Sequence, residues 1–277
     1  MEILYSDKIL KDLKLAVLSD IHFGSKTSQK YLKEIINKVS NINPDFIIMP
    51  GDIIDNGYFD SSKKDQLLNF FKELKEISMV IMSLGNHDIK HHDKYEWLSK
   101  NNNELFNEIS KINNIKVLNN DNYIDEKYNI NFIGYTQPYE TYKSLRDFGS
   151  FKEDINEVFE NPFGSEYYNV LLAHNPMPFD ELALEYVNIL KSTDLIISGH
   201  MHGGLVHPLI RPLFKDGRGI ISPDKKLFPK RTRGMNKLGE IDLFISDAYT
   251  KLPENAKIFR HLDKLYPKKI EEIKIKK

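Results

Sequence analysis

A chain of 277 residues, 40% hydrophobic and 29% charged, has the length and composition of one well-buried α/β domain, so residues 1–277 are expected to form a single unit. Its net charge of -1 gives no global pull toward nucleic acid or an anionic membrane. The absence of cysteine excludes disulfides, a thiolate nucleophile and sulfur-ligated zinc, which leaves His, Asp and Asn to hold any metal.

In chain order, residues 1–20 predict a short edge strand and then a central strand, Leu15-Ala16-Val17-Leu18, that runs into Asp20-Ile21-His22. Tyr31, Leu32, Ile35, Ile36, Val39 and Ile42 recur at helical spacing from about Ser28 to Asn41, and Pro44 marks the return to the sheet. The run Phe46-Ile47-Ile48-Met49 suits a strand buried on both faces. It places Gly51-Asp52-Ile53-Ile54-Asp55 at a carboxyl end, where open α/β sheets bind their ligands. Leu67, Leu68, Phe70, Phe71 and Leu74 put an apolar stripe on a helix starting near Ser62. Met79-Val80-Ile81-Met82 then leads to Gly85-Asn86-His87-Asp88.

The polar stretch from Ile89 to Asn113, with His91, His92 and Trp97, reads as a partly helical insertion placed to wall a site; His91 and His92 are expected to be exposed. Alternation from Lys116 to Tyr135 predicts antiparallel strands joined by turns and the start of a second sheet. Residues 140–163 read as helix. Val170-Leu171-Leu172 reaches His174-Asn175-Pro176, and Leu195-Ile196-Ile197 runs into Gly199-His200-Met201-His202-Gly203-Gly204. From Leu205 to Lys237 nine Lys or Arg face two acids, a local balance of +7, so the remainder carries -8. This basic loop 205–237 is either solvated or brings Lys230, Arg231 or Arg233 to a substrate anion. Its Leu209, Ile210, Leu213 and Phe214 suit a membrane-touching loop and buried packing equally well. Glu240–Ile245 and Ile270–Ile275 read as strands, and His207 and His261, which belong to no constellation, as structural.

Met1–Asp7 has neither the basic start nor the apolar core of a signal peptide, and no apolar run approaches about 18 residues. A cytoplasmic protein with no integral membrane segment is therefore expected. Asp20 and His22 are two apart, so on an extended segment they point to one side and can grip one metal together; His200 and His202 share that spacing.

The ordered set Asp20-x-His22, Gly51-Asp52-x-x-Asp55, Gly85-Asn86-His87-Asp88, His174 and Gly199-His200-x-His202 resembles the calcineurin-like metallophosphoesterase superfamily, with motifs inside residues 15–204. The resemblance implies a four-layer αββα sandwich of two mixed β-sheets flanked by helices. Carried over residue by residue, it implies one divalent ion on Asp20, His22, Asp52 and His202, and a second on Asp52, Asn86, His174 and His200. Two such ions sit about 3.5–4 Å apart. Oxygen and imidazole ligands suit manganese, iron or zinc, and manganese is the first expectation. Two divalent ions, Asp20, Asp52 and a metal-bridging hydroxide leave one surplus positive charge to face a phosphate anion. His87 is not a ligand in the family; its implied catalytic role is to stabilise or protonate the leaving oxygen, with Asp88 orienting the ring. Asp55 either hydrogen-bonds a ligand or begins a turn.

The implied activity is that of a phosphohydrolase, foremost a phosphodiesterase or pyrophosphohydrolase. The segment after His202 is similar to bacterial phosphoesterases of this superfamily that act on lipid-linked diphosphates, which would set the protein at the periphery of a membrane. Where that branch carries Ser-x-Gly, this chain reads Ser246-Asp247-Ala248. The alternatives are a nuclease, which predicts a broad basic surface, a phosphoprotein phosphatase, or a non-catalytic scaffold, which would have lost ligand residues. None is lost here.

Overall fold

The computed structural model describes residues 1–55, 61–89, 96–142, 148–181, 187–223, 225–252 and 262–277. Its first sheet takes β1 (Glu2–Tyr5), β2 (Leu13–Val17), β3 (Phe46–Pro50), β4 (Met79–Ser83) and β5 (Ile115–Val117). The second takes β6 (Asp121–Asp125), β7 (Ile130–Tyr135), β8 (Tyr168–Ala173), β9 (Leu195–Ser198), β10 (Gly234–Leu238) and β11 (Ile241–Ile245). The last strand, β12 (Glu271–Lys276), returns to the first sheet between β1 and β2, giving the orders β1-β12-β2-β3-β4-β5 and β10-β11-β9-β8-β7-β6. Strands β2 to β5 are mutually parallel, as are β7, β8, β9 and β11; the pairs β12–β2, β10–β11 and β6–β7 are antiparallel.

Both sheets are mixed, and the two-residue period of their strands explains the four layers. In β2, Leu15 and Val17 face the second sheet in a shared core with Phe132, Val170, Leu172 and Ile197, while Ala16 and the following Leu18 face outward. In β8, Val170 and Leu172 face inward, and Leu171 and Ala173 outward. A parallel strand that is apolar on both faces needs cover on both. The outer face of the first sheet is covered by α1 (Gln29–Ile42), α2 (Lys64–Ile77) and α4 (Glu96–Ser110), and the outer face of the second by α5 (Phe148–Val158) and α6 (Met177–Glu181); the short α3 (Asn86–Ile89) lies at a strand end. Helix α1 starts where Ser28 accepts a hydrogen bond from the Tyr31 N–H (3.2 Å) and ends at Asn43 in the left-handed conformation. Each core Leu, Ile or Phe contributes about 1.5–3 kcal/mol over its exposed state.

Two sequence-based expectations change. The stretch 89–113 reads as a polar insertion, yet α4 buries Leu105, Phe106 and Ile109 against the first sheet and forms the crossover between β4 and β5. Residues 116 and 117 accordingly belong to β5, parallel to β4, and the antiparallel pair begins only at β6. The place expected for His91 and His92 lies outside the described residues, as does that for His261. The basic loop ends at Gly234, where β10 starts.

Candidate metal centre

The carboxyl ends of β2, β3 and β4 in one sheet and of β8 and β9 in the other deliver the five motifs to one place, because their loops hydrogen-bond to one another. Asp20 N–H donates to Gly51 O (3.2 Å), His22 N–H to Asp52 O (3.1 Å), Gly199 N–H to His174 O (3.0 Å) and Thr250 N–H to Asp20 O (3.0 Å). His87 N–H donates to Asp52 Oδ1 (2.9 Å), and His200 N–H to Asp20 Oδ1 (3.2 Å), so both carboxylates are held by backbone donors. Glycine is required at the closest approaches. A Cβ on Gly51, whose φ is +104°, would lie 2.7 Å from Gly85 N and from His174 Nδ1; one on Gly199 would run into Ser19 Oγ and Asp20.

Five of the candidate ligands have left-handed backbones: Asp20 (φ 55°), His22 (46°), Asp52 (53°), His200 (67°) and His202 (46°). Such conformations cost about 1–3 kcal/mol each and persist only where the surroundings enforce them. Here the interloop hydrogen bonds supply that enforcement.

Among the described residues, Asp20, His22 and His202 form one group whose ligand atoms all lie within 4.8 Å of one another, and Asp52, His174 and His200 form another. The groups adjoin: His174 Nε2 lies 3.1 Å from Asp52 Oδ2 and 3.8 Å from Asp20 Oδ1, and His22 Nε2 lies 3.7 Å from Asp52 Oδ2. The donor atoms are the right ones for cations. His174 Nδ1 is 2.8 Å from Pro50 O and His202 Nδ1 is 2.8 Å from Thr250 O. A carbonyl oxygen can only accept, so both Nδ1 atoms carry a proton, and in the neutral rings the Nε2 lone pairs face the centre. His22 Nε2, Asn86 Oδ1, His174 Nε2 and His200 Nε2 are buried without a hydrogen-bond partner, a cost of about 1–3 kcal/mol each that coordination to a cation would remove. The buried, unpartnered oxygen and imidazole donors suit divalent cations; a third group of close donors, His22, Asp55 and His87, adjoins them.

Protonation follows the same geometry. Burial would raise Asp52, but the imidazoles of His174, His87 and His22 hold it well below the ordinary carboxylate range. Burial would lower His174, but Asp52 and Asp20 push it up to about 9, so in the metal-free protein a proton occupies part of the space between those groups. Burial drives His202 down to about 4 and holds His200 well below its usual value, which keeps both as neutral imidazoles. Cation binding is therefore coupled to proton release.

A cavity of about 320 Å³ opens onto this cluster, lined by Asp52, Asn86, His87, His200, His202 and Lys251 among others. His87 stands at its wall, its Nδ1 3.2 Å from Asp55 Oδ1. Asp55 also lies 3.6 Å from His22 Nδ1, so one carboxylate faces a candidate ligand and the candidate acid together. Asp88 does not take that part. Its carboxylate accepts from the N–H groups of Ile53 (2.9 Å), Ile54 (3.0 Å) and Gly85 (2.8 Å), and so ties the β3 and β4 loops together.

As to the two alternatives for the basic loop, its basic side chains do not line the cavity at the cluster. Lys230, Arg231 and Arg233 border a separate cavity with Asp216 and Arg218. The Arg233 guanidinium donates to the carbonyls of Gly203 (3.1 Å), Arg218 (2.9 Å) and Phe214 (3.2 Å). Among the described residues that line the metal-side cavity, the Lys or Arg is Lys251, which belongs to no motif. Its Nζ donates to Asp247 Oδ1 (2.6 Å) and His202 O (3.2 Å), and Asp247 is also paired with Arg211. Tyr142 was equally unmarked by the sequence; its ring centroid lies 5.2 Å from that of His200. His207 is structural, its Nε2 3.0 Å from Leu265 O.

The family model for calcineurin-like phosphoesterases matches residues 13–204. An uncharacterized metallophosphoesterase of Campylobacter jejuni is 30% identical over 203 residues, 72% of this chain and 46% of that protein. A transmembrane protein with a metallophosphoesterase domain from Danio rerio is 24% identical over 202 residues, 72% of this chain and 42% of that protein. A UDP-2,3-diacylglucosamine pyrophosphatase of Chlamydia muridarum is 37% identical over 79 residues, 28% of this chain and 23% of that protein. The chain thus spans less than half the length of these relatives. The matched segment takes in every strand end that carries the cluster, and the chain belongs to the calcineurin-like phosphoesterase family.

Proposed function

We propose that the chain is a dinuclear metal-dependent phosphohydrolase that cleaves phosphodiester or pyrophosphate bonds, with Asp20, His22, Asp52 and His202 on one ion and Asp52, Asn86, His174 and His200 on the other. The observation that carries this reading is the convergence of two adjoining His/Asp groups whose unpartnered imidazole nitrogens face one centre. Two divalent cations held there, manganese foremost, would polarise phosphate oxygens and bring a bound water toward a pKa of about 7. The protein's own groups do the rest. Neutral imidazoles and Asn86 leave the centre cationic toward an anionic substrate, and Lys251 adds a positive charge to the same wall. His87, oriented by Asp55, donates a proton to the departing oxygen.

The substrate we favour is a lipid-linked diphosphate met at a membrane surface, with residues 1–277 acting as one unit. Support comes from the pyrophosphatase activity named for the Chlamydia relative and from the transmembrane character of the Danio one. Mn²⁺-loaded protein tested on bis-p-nitrophenyl phosphate, p-nitrophenyl phosphate, single-stranded DNA and a nucleotide-diphospho lipid decides the matter. Cleavage of the diester and the lipid without DNA loss is expected. Rapid DNA degradation would establish the nuclease instead, preference for the monoester would point to a phosphatase, and failure on every substrate with metals bound would leave the scaffold.

A further inference from the structure

Ten large apolar side chains stand exposed among the described residues, and five fall between 209 and 228: Leu209 (84% exposed), Ile210, Leu213 (80%), Leu227 (69%) and Phe228 (56%). A sixth, Leu265, is tied to them through His207, whose Nε2 meets Leu265 O and whose Nδ1 accepts from Leu209 N–H at 3.3 Å. The exposure settles the choice between buried packing and a surface role for Leu209 and Leu213. Phe228 is moreover held at φ 54°, a conformation a bulky aromatic side chain avoids.

This segment is braced. Ile220 N–H donates to Gly204 O (2.8 Å), Phe228 N–H to Ile220 O (3.0 Å) and Thr232 Oγ1 to Gly217 O (2.7 Å), while Arg233 holds the carbonyls of both the 208–214 and the 217–219 turns. Its near edge, Leu205, Ile221, Ser222 and Pro223, lines the cavity shared with His87, His200 and His202. The apolar tips therefore belong to the element that rims the metal-side cavity.

Charge identifies what meets them. Lys215, Lys225, Lys226 and Lys230 are exposed in the same stretch, within a segment whose balance is +7 while the rest of the chain carries -8. Two copies of this face would set those lysines against one another, and protein interfaces are depleted in lysine. A nucleic acid would take the lysines and leave Leu209 and Leu213 in water. An anionic bilayer satisfies both, with apolar side chains entering the acyl boundary and lysines at the headgroups.

We propose that residues 205–223 and 225–233 form a docking lobe for anionic lipid membranes, which brings the mouth of the metal-side cavity to the headgroup layer. The proposal rests on the phosphohydrolase reading only for its purpose, and the two fail separately. The test is co-sedimentation of the full chain with phosphatidylcholine vesicles with and without one third phosphatidylglycerol, alongside hydrolysis of soluble bis-p-nitrophenyl phosphate. Binding to the anionic vesicles alone, weakened by salt, is expected. Leu213→Ser with Phe228→Ser, and separately Lys225→Glu with Lys226→Glu, should each weaken binding by roughly tenfold or more and leave soluble diester hydrolysis unchanged. Absence of vesicle binding by the parent chain, or equal binding by the variants, overturns the proposal. So does a dimer of the parent chain that Leu213→Ser dissolves, since the face would then be covered by a second copy. Vesicle binding by a protein that cleaves no phosphoester would leave the lobe standing and remove the hydrolase.

Discussion

Asp55 illustrates how one carboxylate can serve two imidazoles with different duties. It lies 3.2 Å from His87 Nδ1 and 3.6 Å from His22 Nδ1, so its negative charge faces both. Exchanging it for Asn removes the charge that both rings face. Asp55→Asn is expected to weaken metal binding by about 10- to 100-fold and to slow turnover as well. His87→Ala should lower turnover by about 10²- to 10⁴-fold with metal content unchanged, since only the proton donor is lost. Metal analysis of the purified variants beside diester hydrolysis separates the two; metal loss from His87→Ala would show that ring to be a ligand. Gly199 offers a third test. A methyl group there meets Ser19 Oγ and Asp20, so Gly199→Ala is expected to cost about 1–3 kcal/mol in denaturant unfolding and to lower metal occupancy together.

The braced lobe between β9 and β10 is tied together by one side chain, Arg233. Arg233→Met removes the guanidinium that three carbonyls share, while the aliphatic stem is kept. The lobe is expected to open locally and become sensitive to protease between 205 and 233, with the thermal midpoint of the remaining protein changing little. Cleavage at the parent rate would show that the backbone bonds alone suffice. What the sequence made legible follows the same division between local and tertiary causes. Strand ends at Asp20, Asp52, Asn86, His174 and His200 could be read because apolar runs and chemistry-bearing residues adjoin in the chain. Helix α4 could be read only as part of a helical insertion and not as cover for the sheet, since Leu105, Phe106 and Ile109 form a narrow stripe among Asn, Glu and Lys. Lys251 and the pairing of Asp55 with His87 were unreadable for another reason: their meaning comes from partners supplied by distant loops. Ala248 is intermediate. It stands at φ 58° where the related pattern has glycine, so the departure costs strain but keeps the turn.

Across the whole molecule the two sheets are joined at the metal-side edge by loops, and near the chain's end by Glu271. This residue opens β12 in the first sheet, and its Oε2 accepts from Ser246 Oγ (2.7 Å) and Asp247 N–H (3.0 Å), just after β11 of the second. Burial pushes its carboxyl from 4.5 up to about 7, and the neighbouring charge of Asp247 adds to the rise against the pull of the two donors and Lys251. A carboxyl with a raised folded-state pKa binds its proton more tightly in the folded chain than in the unfolded one. Its stabilising contribution is therefore complete below about pH 4.5 and is lost as pH climbs through 7. Glu271→Gln keeps the shape and the acceptor but cannot ionise. Between pH 5 and pH 8 the parent chain should lose on the order of 1–2 kcal/mol relative to this variant, once partial exposure is allowed for. Urea unfolding at matched metal content across that range measures the difference, and parallel curves for the two proteins would mean that Glu271 is charged throughout and that the junction between the sheets tolerates it.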